Sequence, residues 1–279
     1  KKTVADLYNV KEENVLVTVG GSEGIFIASY FLKEKFRDLF VPVPEYEPIF
    51  LVPQMLGMNV HLDYLENFKS GVVSSSLPNN PTGSELILDY MDNIEFYYFD
   101  ETFRDFSFDN KPKSIFQEYK NGVVSNTMTK FYGLSDLRIG WIISEKENID
   151  EMRKIRNLLT INASSYSLWL AWQVLNNREK FVERAKRILT QNKKIFNEYM
   201  EDIDGINYTI ENVPFVFVKV ENKNTLDLAK IAAENYSILI APGEFFGSRN
   251  SLRICITSEG KTFEKSMKKL REFFENELK

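Results

Sequence analysis

"SNTMTKFYGLSDLRIGW", residues 125–141, continues the apolar run "GVV" of residues 122–124. Read outward from Lys130, it is a strand that enters a glycine-containing turn and leaves as a second strand, "RIGWIIS" (138–144). Lys130 stands at the end of the first strand and Arg138, eight residues later, at the start of the second, while Thr127 and Thr129 flank Met128. A lysine that reacts beside an arginine that holds an anion is one reading, and a basic surface loop is the other. The remainder of the chain decides between them.

Upstream, short β-branched runs alternate with helical spacing. Strands are expected at "NVLVTV" (14–19), "DLFVPV" (38–43), "MNVHLDY" (58–64), "GVVSSS" (71–76), "IEFYYFD" (94–100) and "GVVSNTM" (122–128), with a helix over "SEGIFIASYFLKEKF" (22–36). Nearly continuous apolar strands separated by helices predict an α/β architecture, a mainly parallel central sheet covered on both faces. Downstream of Glu145 the spacing predicts long helices over roughly 147–175 and 178–201. It then predicts "VPFVFVKV" (213–220) as a strand, a helix near 225–235, strands at "SILIAP" (237–242) and "SLRICIT" (251–257), and a terminal helix from about Thr262. That is a smaller α+β lobe on a long connecting helix, with no internal repeat or low-complexity linker.

Composition removes several classes of function. A chain of 279 residues, 43% of them hydrophobic, can bury a large core. Nowhere does it approach the roughly 20 uninterrupted apolar residues of a membrane helix, and its first residues lack the apolar core of a signal peptide. It reads as cytoplasmic, with no membrane partner. One cysteine, Cys255, and one histidine, His61, leave no intrachain disulfide, no cysteine cluster and no multi-histidine site, so no metal is expected. A net charge of −5 argues against a nucleic-acid partner.

Three further stretches carry polar groups where strands end. "TVGGSEGIF" (18–26) takes a strand into glycines and then a helix; Gly21 and Ser22 at that helix start form either a phosphate cradle or a structural turn with a serine cap. "LPNNPTG" (77–83) is a polar turn, or it sets Asn80 at the carboxyl end of a parallel strand, where α/β sheets bind ligands. Asp100 closes a markedly hydrophobic strand, either as a cap or as a buried charge that needs a cationic partner. "GGSEGI" lacks the G-x-G-x-x-G spacing of a dinucleotide site.

Their order resembles that of the fold-type I pyridoxal-phosphate enzymes, and within them the class I/II aminotransferases, on the histidinol-phosphate aminotransferase side. "NNPTG" (79–83), "FDETF" (99–103), "TMTKFYGLSDLRIGW" (127–141), "APGEFFG" (241–247) and "SLRICI" (251–256) fall where that family places its motifs, across nearly the whole chain. The resemblance implies pyridoxal 5′-phosphate as cofactor. It implies a large cofactor-binding domain over 1–175, connecting helix included, and a small C-terminal domain over 176–279.

The same resemblance assigns roles. Lys130 is similar to the lysine that forms the Schiff base and moves the substrate proton, and Asp100 to the partner of the pyridine nitrogen. Asn80 resembles the residue bonded to the phenolate oxygen, and Tyr46 in "VPEYEPI" the aromatic stacked on the ring. Gly21, Ser22, Thr127, Thr129 and Arg138 would bind the phosphate, with the arginine as a charged fork. Arg253 resembles the clamp on the substrate carboxylate; Arg249, four residues earlier, competes, and position after Leu252 favours Arg253. Substrates would be an amino acid, or an amino-acid phosphate, and a 2-oxo acid, and the enzyme a homodimer.

Two features depart from the family's pattern. A phenylalanine, Phe103, stands where most members have a tyrosine three residues after the aspartate, so a hydrogen bond to the phenolate oxygen is missing. That substitution is shared with amino-acid-phosphate decarboxylases, which makes decarboxylation the alternative; a non-catalytic aminotransferase-like binding domain is the other. Members also carry an N-terminal arm whose tyrosine reaches the partner subunit's phosphate site, and no counterpart of it is found in this sequence.

Overall fold

Seven strands form the larger of two sheets in the computed structural model, which describes residues 1–108, 113–221 and 223–278. After α1 (Lys2–Tyr8) the chain lays down β1 (Val15–Thr18), α2 (Gly20–Lys35), β2 (Asp38–Pro42), α3 (Glu47–Met55), β3 (Asn59–Asp63) and β4 (Gly71–Ser76). Next come β5 (Ile94–Asp100), β6 (Gly122–Thr127) and β7 (Gly140–Ile143). The strand order is β1-β7-β6-β5-β4-β2-β3. β2 to β6 pair in parallel with β3 at one edge, and β7 runs antiparallel to both β6 and β1. The mainly parallel α/β sheet read from the sequence is therefore present.

The apolar run of β5 is buried on both faces. Tyr97 and Phe99 enter one core, and Phe96 and Tyr98 the other. Alternate side chains of a strand point to opposite faces, so a strand covered twice must be apolar throughout. One cover is α2, whose Ile25, Ile27, Ala28, Phe31 and Leu32 pack with Ile149 and Met152 of α4 (Lys146–Leu159).

The other core is continuous with the second lobe. α5 (Ser165–Asn176) packs on α1 and the β6–β7 turn, and α6 (Arg178–Met200) then leads into β8 (Ile206–Thr209), β9 (Phe215–Val220), α7 (Thr225–Tyr236), β10 (Ala241–Pro242), β11 (Ser251–Cys255) and α8 (Gly260–Glu277) of that lobe. The four strands make an antiparallel sheet in the order β10-β11-β9-β8. Its Val216, Val218, Leu252 and Ile254 join Phe99 and Val124 of the large sheet in one buried cluster.

Several elements differ from expectation. Instead of one helix over 147–175 there are two, because Thr160 takes an extended conformation and its hydroxyl reaches Glu23 on α2, while Ser164 caps the new start. "SILIAP" yields only the two-residue β10, since Ser237 turns into the left-handed region directly after α7. β8, α1 and α3 were not read from the sequence. α3 is short and carries Pro48 and Pro53, which hides its helical period.

Candidate active site

A cavity of about 610 Å³ opens at the carboxyl ends of β4, β5 and β6. Ser76, Asp100 and Thr127, the last residues of those strands, all line it, as ligand sites of parallel sheets require. All eleven residues singled out in the sequence line the same cavity: Gly21, Ser22, Tyr46, Asn80, Asp100, Phe103, Thr127, Thr129, Lys130, Arg138 and Arg253. Arg249 is exposed and lines no part of it, so the geometry separates the two competing arginines.

At one end an anion site is assembled from backbone and charge. α2 begins at Gly20, and its first turn offers N–H groups without helical acceptors. A Cβ on Gly20, whose φ is +78°, would lie 2.5 Å from Nη2 of Arg138, so the guanidinium rests directly on that glycine. Arg138 forms no ion pair among the described residues; Nη1 donates only to the Ser135 carbonyl at 3.3 Å. The Thr127 and Thr129 hydroxyls are 3.0 Å apart, and Thr127 Oγ1 also donates to the Ile139 carbonyl across the β6–β7 turn.

Asp100 is buried, and burial holds its carboxyl above the usual carboxylate range against the hydrogen bonds it accepts. Oδ1 accepts from the Thr102 hydroxyl at 2.6 Å, the Thr102 N–H at 3.2 Å and the Ser125 hydroxyl at 3.3 Å. Oδ2 accepts none among the described residues, which leaves it for a donor in the cavity. Asn80 is arranged likewise: its N–H donates to Ser76 Oγ and its Oδ1 accepts from Arg253 Nη1 at 2.6 Å, while Nδ2 makes no hydrogen bond among the described residues.

Arg253 lies between the rings of Phe215 and Phe246, with the guanidinium carbon 5.2 Å and 4.8 Å from their centroids. Burial pushes its pKa down, its Nε is buried without a partner, and it forms no ion pair among the described residues. Phe103 packs edge-on against Phe215 at 5.0 Å. The cavity wall is completed by Phe106, Phe131, Ile188 and Pro214, which sequence reasoning did not find because nothing in their local pattern distinguishes them from ordinary core.

These residues fit pyridoxal phosphate by their donor set: an unpaired guanidinium and a helix start for a phosphate, a free carboxylate oxygen for a pyridinium, a free amide for a phenolate, and an amine, Lys130, in the same cavity. The sequence profile of "Aminotransferase class I and II" matches residues 1–270. The chain belongs to that family. The class I/II aminotransferases are pyridoxal-phosphate-dependent transferases of amino groups, and this member shares their fold and reaction class.

Among curated relatives, histidinol-phosphate aminotransferase 2 of Archaeoglobus fulgidus is 24% identical over 85% of this chain and 72% of its own length. A probable aspartate aminotransferase of Methanocaldococcus jannaschii is 25% identical over 97% of this chain and 80% of its own. Among solved structures, a PLP-dependent aminotransferase from Streptococcus suis superposes with a TM-score of 0.89 at 25% identity, covering 100% of this chain and 81% of that one. Relatives named for aminotransfer favour that reaction over decarboxylation.

Proposed function

We propose that this aminotransferase moves an amino group from an amino acid, or an amino-acid phosphate, to a 2-oxo acid, with Lys130 as the covalent anchor and proton carrier. One observation supports it above the others: a single cavity holds Lys130, Asp100 and two guanidinium groups, Arg138 and Arg253, that have no acidic partner among the described residues. Uncompensated cations in a partly buried site call for anions from outside, and two of them suit a cofactor phosphate and a substrate carboxylate.

When bound, pyridoxal phosphate supplies an electron sink for the pair left at the substrate Cα. Lys130 would hold its aldehyde end and, as a free amine, would take the substrate's Cα proton and return it. Asp100 would keep a proton on the ring nitrogen by its carboxylate charge. Tyr46 stacks on the ring and fixes its plane, and Asn80 donates to the phenolate oxygen. Arg138, Thr127, Thr129, Gly21 and Ser22 carry the phosphate, and Arg253 orients the substrate by its carboxylate. Phe103 supports ring packing without a hydroxyl donor.

A homodimer in the cytoplasm is part of this reading. The dimer is supported by the apolar run Leu158, Leu159, Ile161, Tyr166, Trp169 and Trp172, exposed along the end of α4 and α5, a 12-residue helix that buries only Ala171. The cytoplasm suits a reaction on freely diffusing amino and 2-oxo acids.

The deciding experiment is an absorbance spectrum of the chain with pyridoxal phosphate, beside Lys130→Ala, before and after a panel of amino acids. A visible band present in wild type, absent in Lys130→Ala and bleached by one amino acid is the expected result. Carbon dioxide released in step with that amino acid would overturn transfer in favour of decarboxylation.

A further inference from the structure

Glu45, in the loop between β2 and α3, is fully buried, yet no lysine or arginine forms an ion pair with it among the described residues. Five donors converge on its carboxylate instead. Oε1 accepts from the Tyr46 N–H at 2.6 Å and from the Ser76 hydroxyl. Oε2 accepts from the Ser75 hydroxyl and the Ser76 N–H, both at 2.7 Å, and from Asn79 Nδ2 at 3.2 Å.

Ser76 passes the contact into the site. Its Oγ accepts the Asn80 N–H at 2.7 Å, and Asn80 Oδ1 accepts Arg253 Nη1 at 2.6 Å. On the other side of the carboxylate the Tyr46 N–H is held directly. One side chain thus ties together three groups that line the cavity, on the β2–α3 loop, the β4 end and β11.

We propose that Glu45 is a positioning residue: as a carboxylate it fixes Tyr46, Asn80 and, through Asn80, Arg253, and on taking up a proton it loosens them. The Tyr46 and Ser76 N–H groups and the Asn79 amide are donors that cannot accept a carboxyl proton. A proton on Oε1 can be given only to the Ser76 hydroxyl and one on Oε2 only to that of Ser75, so either turns round a hydroxyl that now anchors the carboxylate. The titratable groups facing it are Tyr46 in its own loop and Tyr98 on β5, and Asp100 on β5 and Arg253 on β11 act in turn on Tyr46. Burial, opposed by the serine hydrogen bonds, holds the Glu45 carboxyl up to about 7. The ionised arrangement is therefore complete above neutral pH and is lost as pH falls through neutrality.

This inference rests on the cavity being the pyridoxal-phosphate site. Its test is retention of pyridoxal phosphate by the holoprotein, measured by equilibrium dialysis at about pH 8.5 and about pH 5.5, in wild type and Glu45→Gln. Glu45→Gln puts a donor amide among donors and is expected to weaken retention about tenfold at the higher pH, with the ratio falling toward one at the lower, where wild type is protonated too. A ratio of one at the higher pH, or the same ratio at both, overturns the proposal, since a merely structural role has no reason to track this titration.

Ser76→Ala, with Ser76→Thr as rescue, tests the same link by a second route if Glu45→Gln does not fold. Alanine is expected to weaken retention and threonine to restore it, and equal retention by both overturns the link. A wild-type chain that takes up no cofactor at Lys130 overturns the reading of the cavity itself, an outcome distinct from these.

Discussion

Asp100 and Phe103, three residues apart at the end of β5, show how one site separates what it keeps from what it omits. Replacing Asp100 by Asn leaves the shape but removes the charge that would face the ring nitrogen; breaking such a buried pair costs about 3 kcal/mol, so turnover is expected to fall roughly a hundredfold while the fold persists. Steady-state rates beside a circular-dichroism melt check this. Phe103→Tyr restores a donor, and a hydrogen bond to a charged oxygen is worth enough to lower the pH midpoint of the bound cofactor's absorbance change by about one unit. An unchanged midpoint would show that the new hydroxyl does not reach that oxygen.

Glu45 carries its own signature in stability. Its pKa is raised from 4.5 to about 7, so between those values the native state binds more protons than the unfolded chain, and stability must fall as pH rises. Wild type should lose melting temperature relative to Glu45→Gln between about pH 5 and about pH 7.5, and a pH-independent difference would contradict that sign. That Lys130, Asp100, Asn80 and Arg138 gather in one cavity was legible in the sequence because motif order marks them. Glu45, Ser76 and Thr102 were not, since a glutamate, a serine and a threonine acquire meaning only from what folding brings beside them.

β7 shows a constraint that lies between elements. Paired antiparallel with both β1 and β6, it brings Gly140 opposite Thr18 and Thr127, and a Cβ there would fall 2.8 Å from Thr18 Oγ1 and 2.9 Å from both the Asn126 carbonyl oxygen and the Gly20 carbonyl carbon. Gly140→Ala is accordingly expected to cost about 1–3 kcal/mol through overpacking, read from urea unfolding, and to weaken cofactor retention because Gly20 and Thr127 flank the proposed phosphate end. The expected strands of the large sheet all formed, since β-branched runs bounded by turn residues are local signals. The break at Thr160 was invisible, because helical spacing continues through it and the hydroxyl's partner, Glu23, lies far away in the sequence.

At the scale of the whole molecule, α5 is the exposed apolar element that most needs covering. Trp169 is 51% and Trp172 49% exposed on a helix rich in large apolar groups. A homodimer through this face predicts that Trp169→Glu, which sets a charge into the contact, shifts the protein from dimer to monomer in sedimentation velocity with little change in the monomer's helicity. A variant that stays dimeric places the contact elsewhere.

The sequence by itself determined the layered α/β class, the positions of the large-sheet strands and the set of polar residues that share one cavity, because periodicity and motif order are properties of the linear chain. Tertiary structure alone decided that Arg138 and Arg253 have no acidic partners among the described residues, that Asn80 bonds Arg253, and that Glu45 is buried beneath Tyr46 and Asn80. Those are facts of which charge ends beside which dipole, and folding sets them by joining residues as distant as Asn80 and Arg253 within one hydrogen bond.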